Sequence, residues 1–416
     1  PKDTKMMVCM AVGAVYESDN VYKTLSLYSH QSKEVLAKTV FVLNVNWLDQ
    51  DEQDSQKLAQ IKKTIEEIER IKKDFPQLKI AVFQGRYVQE TLMAERGINI
   101  HGQFIKDVHD VALRSLQLSG IDHEVYLLSN DADCQGMSDS YLSKLLEQAE
   151  RELEKDAFLG RIEWDTERWA DHPGFHLSVR FMQFLDVVCR YPSGDQPRHI
   201  PTSGANSMIK ASMLAAIGGV DPENNIGAGA DVNLGRRVKY ARGSDGQEAI
   251  DYVHGAWLDT NGDRAFNYYA HGRSVVEMWS DFNQGGYKGR GEEGFGQPGR
   301  SEYKRENSAN EIGPQLRKDE NGNFVAENID KDWNEIIKRF ECQINGGLTA
   351  YFGYDLKSWQ RVLNFTFGNV RPARWTIKNN RVEITAAGNE WLKQQVIDFQ
   401  ANSRQDILYK RGGQRG

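Results

Sequence analysis

Two carboxylates one residue apart, Asp131 and Asp133, close the stretch Glu124–Asp133, which reads Glu-Val-Tyr-Leu-Leu-Ser-Asn-Asp-Ala-Asp. Val125 to Leu128 is an apolar run of strand type, and polar residues end it abruptly. In an extended segment residues i and i+2 point the same way, so both carboxylates can reach one cation. Their hard oxygens suit Mg2+ or Mn2+, ions that keep part of their shell for water and phosphate. In open α/β sheets, ligands sit off the carboxyl ends of the strands, and that is where such a pair would stand. The plainer alternative is a strand-to-helix loop in which one Asp caps the helix that follows.

Other groups raise the same question. Gly229-Ala230-Asp231-Val232-Asn233-Leu234-Gly235-Arg236-Arg237 follows a glycine-rich loop and sets Asp231 at a helix start, either directed into a site or as a plain N-cap. Ala249–Trp257 reads as a strand carrying His254, with His271 as a competing histidine; a lone His is as readily a packed or surface residue as a ligand. Asp259-Thr260-Asn261-Gly262-Asp263 resembles a calcium loop only superficially, because its glycine is misplaced for an EF-hand. Asp49-Gln50-Asp51 is a second Asp-x-Asp, but it stands among other acids at a helix entrance, where capping of the helix dipole accounts for it.

The elements that must position these residues follow from periodicity. Strands are expected at Met6–Val15, Val40–Val45, Leu78–Phe83 and Ala157–Ile162 besides the one ending in Asp131–Asp133. Helices are expected at Val21–Gln31 with Asp19 or Asn20 as cap, at Ser55–Phe75, at Gly102–Leu118, and at Ser138–Lys155 with Ser138 or Asp139 as cap. In Ser55–Phe75 the residues Leu58, Ile61, Ile65, Ile68 and Ile71 recur at spacings of three and four, the pattern of a helix packed on a sheet. Further helical patterns cover Gly174–Tyr191 and Ala211–Ile217. Strand and helix alternate, which is the signature of a mostly parallel sheet covered on both faces.

From Asn283 to Asn328 glycine, charged residues and amides dominate, so this stretch reads as a connector or as a lid over substrate. Trp333–Phe352, Tyr354–Phe367 and Asn389–Gln400 are helical in pattern. The expected organisation is a domain at 1–282, a polar loop at 283–330 and a mainly helical accessory region at 331–416.

Hydrophobic residues make up 39% of the 416, enough for a sizeable core. A net charge of −7 argues against nucleic-acid binding through bulk electrostatics. No stretch approaches the roughly 20 apolar residues of a membrane span, and the N-terminus has no signal core. A start at Pro1 reads as a removed Met or a trimmed chain. Four scattered cysteines without a Cys-x-x-Cys pair point to reduced thiols in a cytoplasmic protein.

Taken in order, the motifs from Met6 to about Ala270 resemble a GT-A fold glycosyltransferase close to the large family 2 group. The loop Tyr16-Glu17-Ser18-Asp19-Asn20 leads to a helix ending Thr24-Leu25-Ser26-Leu27-Tyr28-Ser29-His30-Gln31, similar to the family's opening. The Asp131-Ala132-Asp133 motif follows an apolar strand, and Gly218-Gly219-Val220-Asp221-Pro222 precedes the block from Gly229 to Arg237. These resemble the family's Gly-Gly-Phe-Asp-Glu and Glu-Asp-x-Asp-Leu-x-x-Arg blocks. Ala230 replaces the usual Glu and Asn233 an Asp, and the second strand ends Asn44-Val45-Asn46 without the acid that commonly reads the nucleobase.

The resemblance implies a Rossmann-like mixed, mostly parallel sheet with helices on both faces plus a C-terminal helical extension. It implies an enzyme that moves a sugar from a nucleotide-diphosphate sugar, a UDP-sugar in preference to a GDP-sugar, to an acceptor hydroxyl. Mn2+ or Mg2+ would be held by Asp131, Asp133 and His254, with Asp133 the direct ligand and Asp131 at the ribose or a metal-bound water. Asp231 would be the base of an inverting displacement. Gly13, Ala14, Glu17, Asn44 and Lys106 would line the nucleotide pocket, and Trp257 or Tyr252 would stack on sugar. Two rivals stand beside it. A nucleotidyltransferase would want a basic phosphate loop near the N-terminus, and Ala11–Asn20 has neither Arg nor Lys. A non-catalytic binding protein of the same fold is left open by Ala230.

Overall fold

The computed structural model describes residues 4–15, 17–18, 20–88, 100–120, 124–164, 171–190, 206–221, 230–241, 249–260, 262, 265–266, 269, 274, 316–318, 324–326, 330 and 332–398. The chain divides into two compact units: Pro1–Glu163, His199–Asn261 and Tyr287–Ser301 in the first, Trp164–Arg198, Gly262–Gly286 and Glu302–Gly416 in the second.

The first unit begins with β1 (Lys5–Gly13), α1 (Asn20–Ser29), α2 (Lys33–Ala37), β2 (Thr39–Leu48), α3 (Ser55–Asp74) and β3 (Ile80–Tyr87). There follow α4 (Ile100–Ser119), β4 (Val125–Asp131), β5 (Gly136–Met137), α5 (Tyr141–Arg151) and β6 (Ala157–Trp164). After α6 (Pro173–Arg190), which belongs to the second unit, come β7 (Asn206–Lys210), α7 (Ala211–Ala216), α8 (Ala230–Ala241) and β8 (Ile250–Thr260). The eight strands form one sheet in the order β3-β2-β1-β4-β7-β6-β8-β5. β3, β2, β1 and β4 run parallel, and β7 pairs antiparallel with both β4 and β6.

β1 shows why the strands are apolar runs. Met6, Val8, Met10 and Val12 enter one core with α1, α3 and α5, while Met7 and Cys9 enter another with α4, α7 and α8. A strand covered on both faces has no polar side to display. The mixed sheet with helices on both faces is the architecture that the resemblance implies, and C-terminal helices are present as well.

Local signals mostly hold. Asp54 caps α3, its Oδ1 accepting from Gln56 N at 2.8 Å and Lys57 N at 3.2 Å. Asp51, in the preceding 3-10 turn, is buried, accepts from Leu48 N and pairs with Lys57 at 2.8 Å, so the Asp49–Asp51 motif has a structural role. The cap of α5 differs from expectation. Neither Ser138 nor Asp139 caps it; its N-cap Ser140 makes no side-chain bond, and Gln31 Oε1 accepts from Leu142 N at 3.1 Å instead.

β7 is not expected from the sequence, and its chemistry explains why. Asn-Ser-Met-Ile-Lys is buried at every position, yet its ends are polar. Asn206 accepts from Tyr141 Oη at 2.7 Å, and Lys210 donates to Leu153 O at 2.6 Å and faces Asp156 at 3.6 Å. These partners satisfy groups that an apolar-run criterion rejects.

The second unit holds α6, the short antiparallel pair β9 (Leu316–Lys318) and β10 (Phe324–Ala326), α9 (Trp333–Phe352) and α10 (Leu356–Phe367). The hairpin β11 (Trp375–Lys378) and β12 (Arg381–Ile384) follows, then α11 over residues 386–398. α6 packs on α9 and α10, and the core contains Phe175, Phe181, Phe340, Trp359 and Phe367. Asp330 accepts from Gly174 N at 2.8 Å and from Tyr269 Oη. The remainder of the polar stretch 283–330 lies largely outside the described residues. Among the described residues no helix is long and apolar enough to cross a membrane.

Candidate active site

Parallel strands end on one edge of a sheet, so their registers decide which residues meet there. Ala11 of β1 pairs with Asn44 of β2 on one side and Asp131 of β4 on the other. Gly13 pairs with Asn46. With strands about 4.8 Å apart, Asn44 and Asp131 stand roughly 10 Å from each other across small Ala11. All three lie on the α4 face, because Val8, Val12, Leu43, Val45 and Leu128 occupy the opposite one.

Beyond β1 the chain turns tightly. Ala14 is buried, its N–H donating to Asn46 O at 2.8 Å and its carbonyl accepting from Thr64 Oγ1 at 2.6 Å. Glu17 N donates to Gly13 O at 2.9 Å, and Glu17 Oε2 accepts from Asn20 Nδ2 at 2.8 Å. Gly13, Ala14 and Glu17 therefore line the edge beside β2.

Asn44 is fully buried. Its amide donates to Tyr87 Oη at 3.1 Å and Phe104 O at 3.2 Å, while Oδ1 has no hydrogen-bond partner; Asn46 Oδ1 has none either. Tyr87 in turn donates to Asp107 Oδ2 at 2.5 Å, and Gln103 Nε2 donates to Asp107 Oδ1 at 2.6 Å. Burial, then that carboxylate, pushes the Tyr87 phenol up. Gly85 makes room for the arrangement: a Cβ there would meet the Tyr87 ring at 2.5 Å and Asn44 Oδ1 at 2.8 Å.

Asp131 is the last residue of β4, and Asp133 sits in the turn that follows; both are half-buried. The turn is held from two sides. From α1, Thr24 Oγ1 lies 2.7 Å from Ala132 O and 3.3 Å from Cys134 O, and Lys23 donates to Gln135 Oε1. From β8, Asp259 O accepts from Gln135 N at 2.6 Å, and Thr260 Oγ1 donates to Asp133 Oδ1 at 3.4 Å. β5 then pairs with β8, Gly136 opposite Asp259. The buried Cys134 thiol donates to Asn130 Oδ1 at 3.2 Å and Asp131 O at 3.3 Å. Burial first, then Asp133, Asp131, Asp259 and Glu17, push that thiol well above its ordinary range.

Asp259 and Thr260 hold this turn, and reading Asp259–Asp263 as a false calcium loop passes over them. The usable signal is the one that marks Asp131: an apolar strand that ends abruptly in an acid and a hydroxyl.

His254 lies five positions before Asp259 on β8, about 17 Å along an extended strand, so the register does not bring it to the aspartate pair. His271 is outside the described residues. Lys106 donates to Asp110 at 2.6 Å and stands beside Gly219. Arg237 of α8 donates to Gly219 O at 2.7 Å and to Ile217 O, clamping a turn whose two glycines have φ of +74° and +72°. α8 begins at Ala230, so Asp231 is its second residue. Trp257 is half-buried on β8; its backbone N–H donates to Ser138 Oγ and its carbonyl accepts from Ser138 N. Tyr252 is half-buried against the α4-side core. A cleft of about 360 Å³ between α3 and β3, lined by Val45, Ile65, Ile68 and Val82, belongs to the face opposite Asn44 and Asp131 and carries none of this chemistry.

No protein-family model matches the chain, and no curated protein matches it in sequence. Solved structures similar to it include GalNAc-T7 with UDP, GalNAc and Mn2+, at 13% identity over 62% of this chain and 44% of that one, with a TM-score of 0.34. This chain therefore spans less than half of the GalNAc-T7 structure. Glucosyl-3-phosphoglycerate synthase from Mycobacterium tuberculosis, with Mn2+, UDP-glucose and phosphoglyceric acid, is similar at 12% identity over 66% and 78%, with a TM-score of 0.33. Likenesses this low say nothing of what this chain binds, and the architecture rests on its own strand order and registers.

Proposed function

We propose that the chain is a metal-dependent glycosyltransferase of GT-A type, moving a sugar from a nucleotide-diphosphate sugar to an acceptor hydroxyl. The observation that carries this reading is one sheet edge. Asp131 ends the central strand there beside Ala11, with buried Asn44 on the far side of Ala11, and Asp133 follows on a turn held from α1 and β8.

The donor set suits a hard divalent ion shared with substrate. Two carboxylates leave most of an octahedral shell to waters and phosphate oxygens, as Mg2+ and Mn2+ sites do. Among the described residues no three His, Cys, Asp or Glu side chains gather to hold an ion. Asp133 would be the direct ligand, and Asp131 would contact the ribose or a metal-bound water. Bound there, the ion would act as a Lewis acid on the leaving diphosphate.

The chain's own groups do the rest. The donor is a UDP-sugar in preference to a GDP-sugar, as the resemblance implies. Asp231, at the start of α8, accepts the proton of the attacking hydroxyl as the new bond to the anomeric carbon forms and the bond to the diphosphate breaks. An in-line displacement of that kind inverts the anomeric centre.

Thermal-shift measurements with UDP- and GDP-sugars, each with and without Mn2+, test the reading, followed by turnover. A UDP-sugar with Mn2+ should raise Tm, and Asp133→Ala should abolish the metal-dependent part. Asp231→Asn should still bind donor while losing about 10²- to 10⁴-fold in rate. Unchanged turnover in Asp133→Ala rejects the metal site; donor binding without turnover in the wild type identifies a binding protein of the same fold.

A further inference from the structure

Asp133 lies beyond the last ladder position of β4, so the strand alone does not fix it. The carbonyls on either side of it, Ala132 O and Cys134 O, both approach one hydroxyl, Thr24 Oγ1, at 2.7 and 3.3 Å. Thr24 is fully buried on α1, and Ala132 and Cys134 are buried too. A hydroxyl has a single proton, so the two carbonyls share it, with the shorter arm at Ala132. Ala132 O belongs to the peptide that enters Asp133 and Cys134 O to a peptide one residue beyond it, so the two contacts hold the chain on both sides of the Asp133 Cα and limit the direction in which its side chain leaves the backbone.

The contact is part of a longer grip. Thr24, Tyr28 and Gln31 recur at spacings of four and three, which puts Thr24 and Tyr28 on one face of α1 and Gln31 just past its end. Tyr28 packs against Tyr141 with ring centroids 6.3 Å apart. Gln31 Nε2 donates to Ser138 O at 2.9 Å, and Gln31 Oε1 accepts from Leu142 N. One side of α1 therefore runs along the chain from Ala132 to Leu142 and anchors it at both ends.

We propose that Thr24 is a positioning residue: its buried hydroxyl holds the turn so that Asp131 and Asp133 present their carboxylates together to a divalent cation. The proposal rests on the metal reading above. Partners that orient metal ligands without touching the metal typically govern affinity by one to two orders of magnitude.

The test compares wild type, Thr24→Val, which keeps the shape and loses the donor, and Thr24→Ser, which keeps the donor. The probe is Mn2+ alone, followed by the paramagnetic resonance of the free ion. Thr24→Val should bind Mn2+ about tenfold more weakly or worse, and Thr24→Ser close to wild type. Cys134 supplies a readout that needs no metal. Its buried thiol is held inside the turn, so a loosened turn exposes it to iodoacetamide, read by mass spectrometry of the peptide. Thr24→Val should lose that protection and Thr24→Ser keep it.

Equal Mn2+ affinity and equal Cys134 protection in a folded Thr24→Val overturn the proposal. Faster Cys134 labelling in Thr24→Val, in a protein whose wild type binds no Mn2+, rejects the metal reading while the brace on the turn stands. Should Thr24→Val not fold, Thr24→Ala takes its place; if that variant fails as well, Thr24 is a core residue and the proposal falls.

Discussion

The imidazole of His109 lies buried on α4, its Nε2 2.9 Å from Ser129 Oγ of β4 and its Nδ1 without a hydrogen-bond partner. Burial, with Lys106 a turn away, lowers its pKa to about 4 from an ordinary 6.5. An unfolded chain protonates this ring below about 6.5, and the folded one only below about 4. Between those values the unfolded state holds more protons, so stability present above pH 6.5 is lost as pH falls towards 4, by about 1.4 kcal/mol per unit. His176 of the second unit, lowered to about 3 by burial and by Arg180, adds to the same slope. The expected outcome is that Tm of His109→Gln falls less steeply than wild type between pH 7 and pH 4; parallel curves reject the assignment. His109 and Asp131 differ in how far the sequence betrays them. A carboxylate closing an apolar run is conspicuous, because such runs end in acids for few reasons. A histidine among the Lys and Asp of an amphipathic helix looks like surface until β4 is placed beneath it. Thr24 is hidden in the same way, since its importance comes from contacts more than 100 residues away in the chain.

Elements are legible where one periodicity governs them. α3 spans Ser55–Asp74 and α4 Ile100–Ser119, within two residues of the apolar patterns that predict them. The hairpin β11–β12 is missed although it carries a signal. Trp-Thr-Ile-Lys and Arg-Val-Glu-Ile flank Asn379-Asn380, and both asparagines have positive φ, 50° and 56°. That is the backbone of a two-residue type I′ turn, and Asn tolerates it better than most residues. Its strands have four residues each and little burial, so alternation over so short a span does not stand out from a loop. The turn also makes a prediction. Asn380→Gly should keep or raise stability, whereas Asn380→Val, with a branched Cβ forced into the left-handed region, should cost about 1–2 kcal/mol. Denaturant midpoints for the two variants measure this, and equal midpoints would mean that the turn adopts another form.

At the scale of the molecule, sequence order and spatial grouping part company. α6 precedes β7 and β8 of the sheet, yet it packs on α9 and α10 in the second unit. An amphipathic pattern shows that a helix has a face to bury, and nothing in it names the partner that covers that face. The two units consequently have separate cores: Leu128 is fully buried in one with Val8 and Leu43, and Leu363 in the other with Phe340 and Trp359. Each Leu→Ala change leaves a cavity and should cost about 2–5 kcal/mol. Residues in different clusters share no packing partner, so the losses in Leu128→Ala/Leu363→Ala should add to within about 0.5 kcal/mol. Single and double variants followed by chemical denaturation measure the difference. A coupling above about 1 kcal/mol would show the two cores to be energetically one.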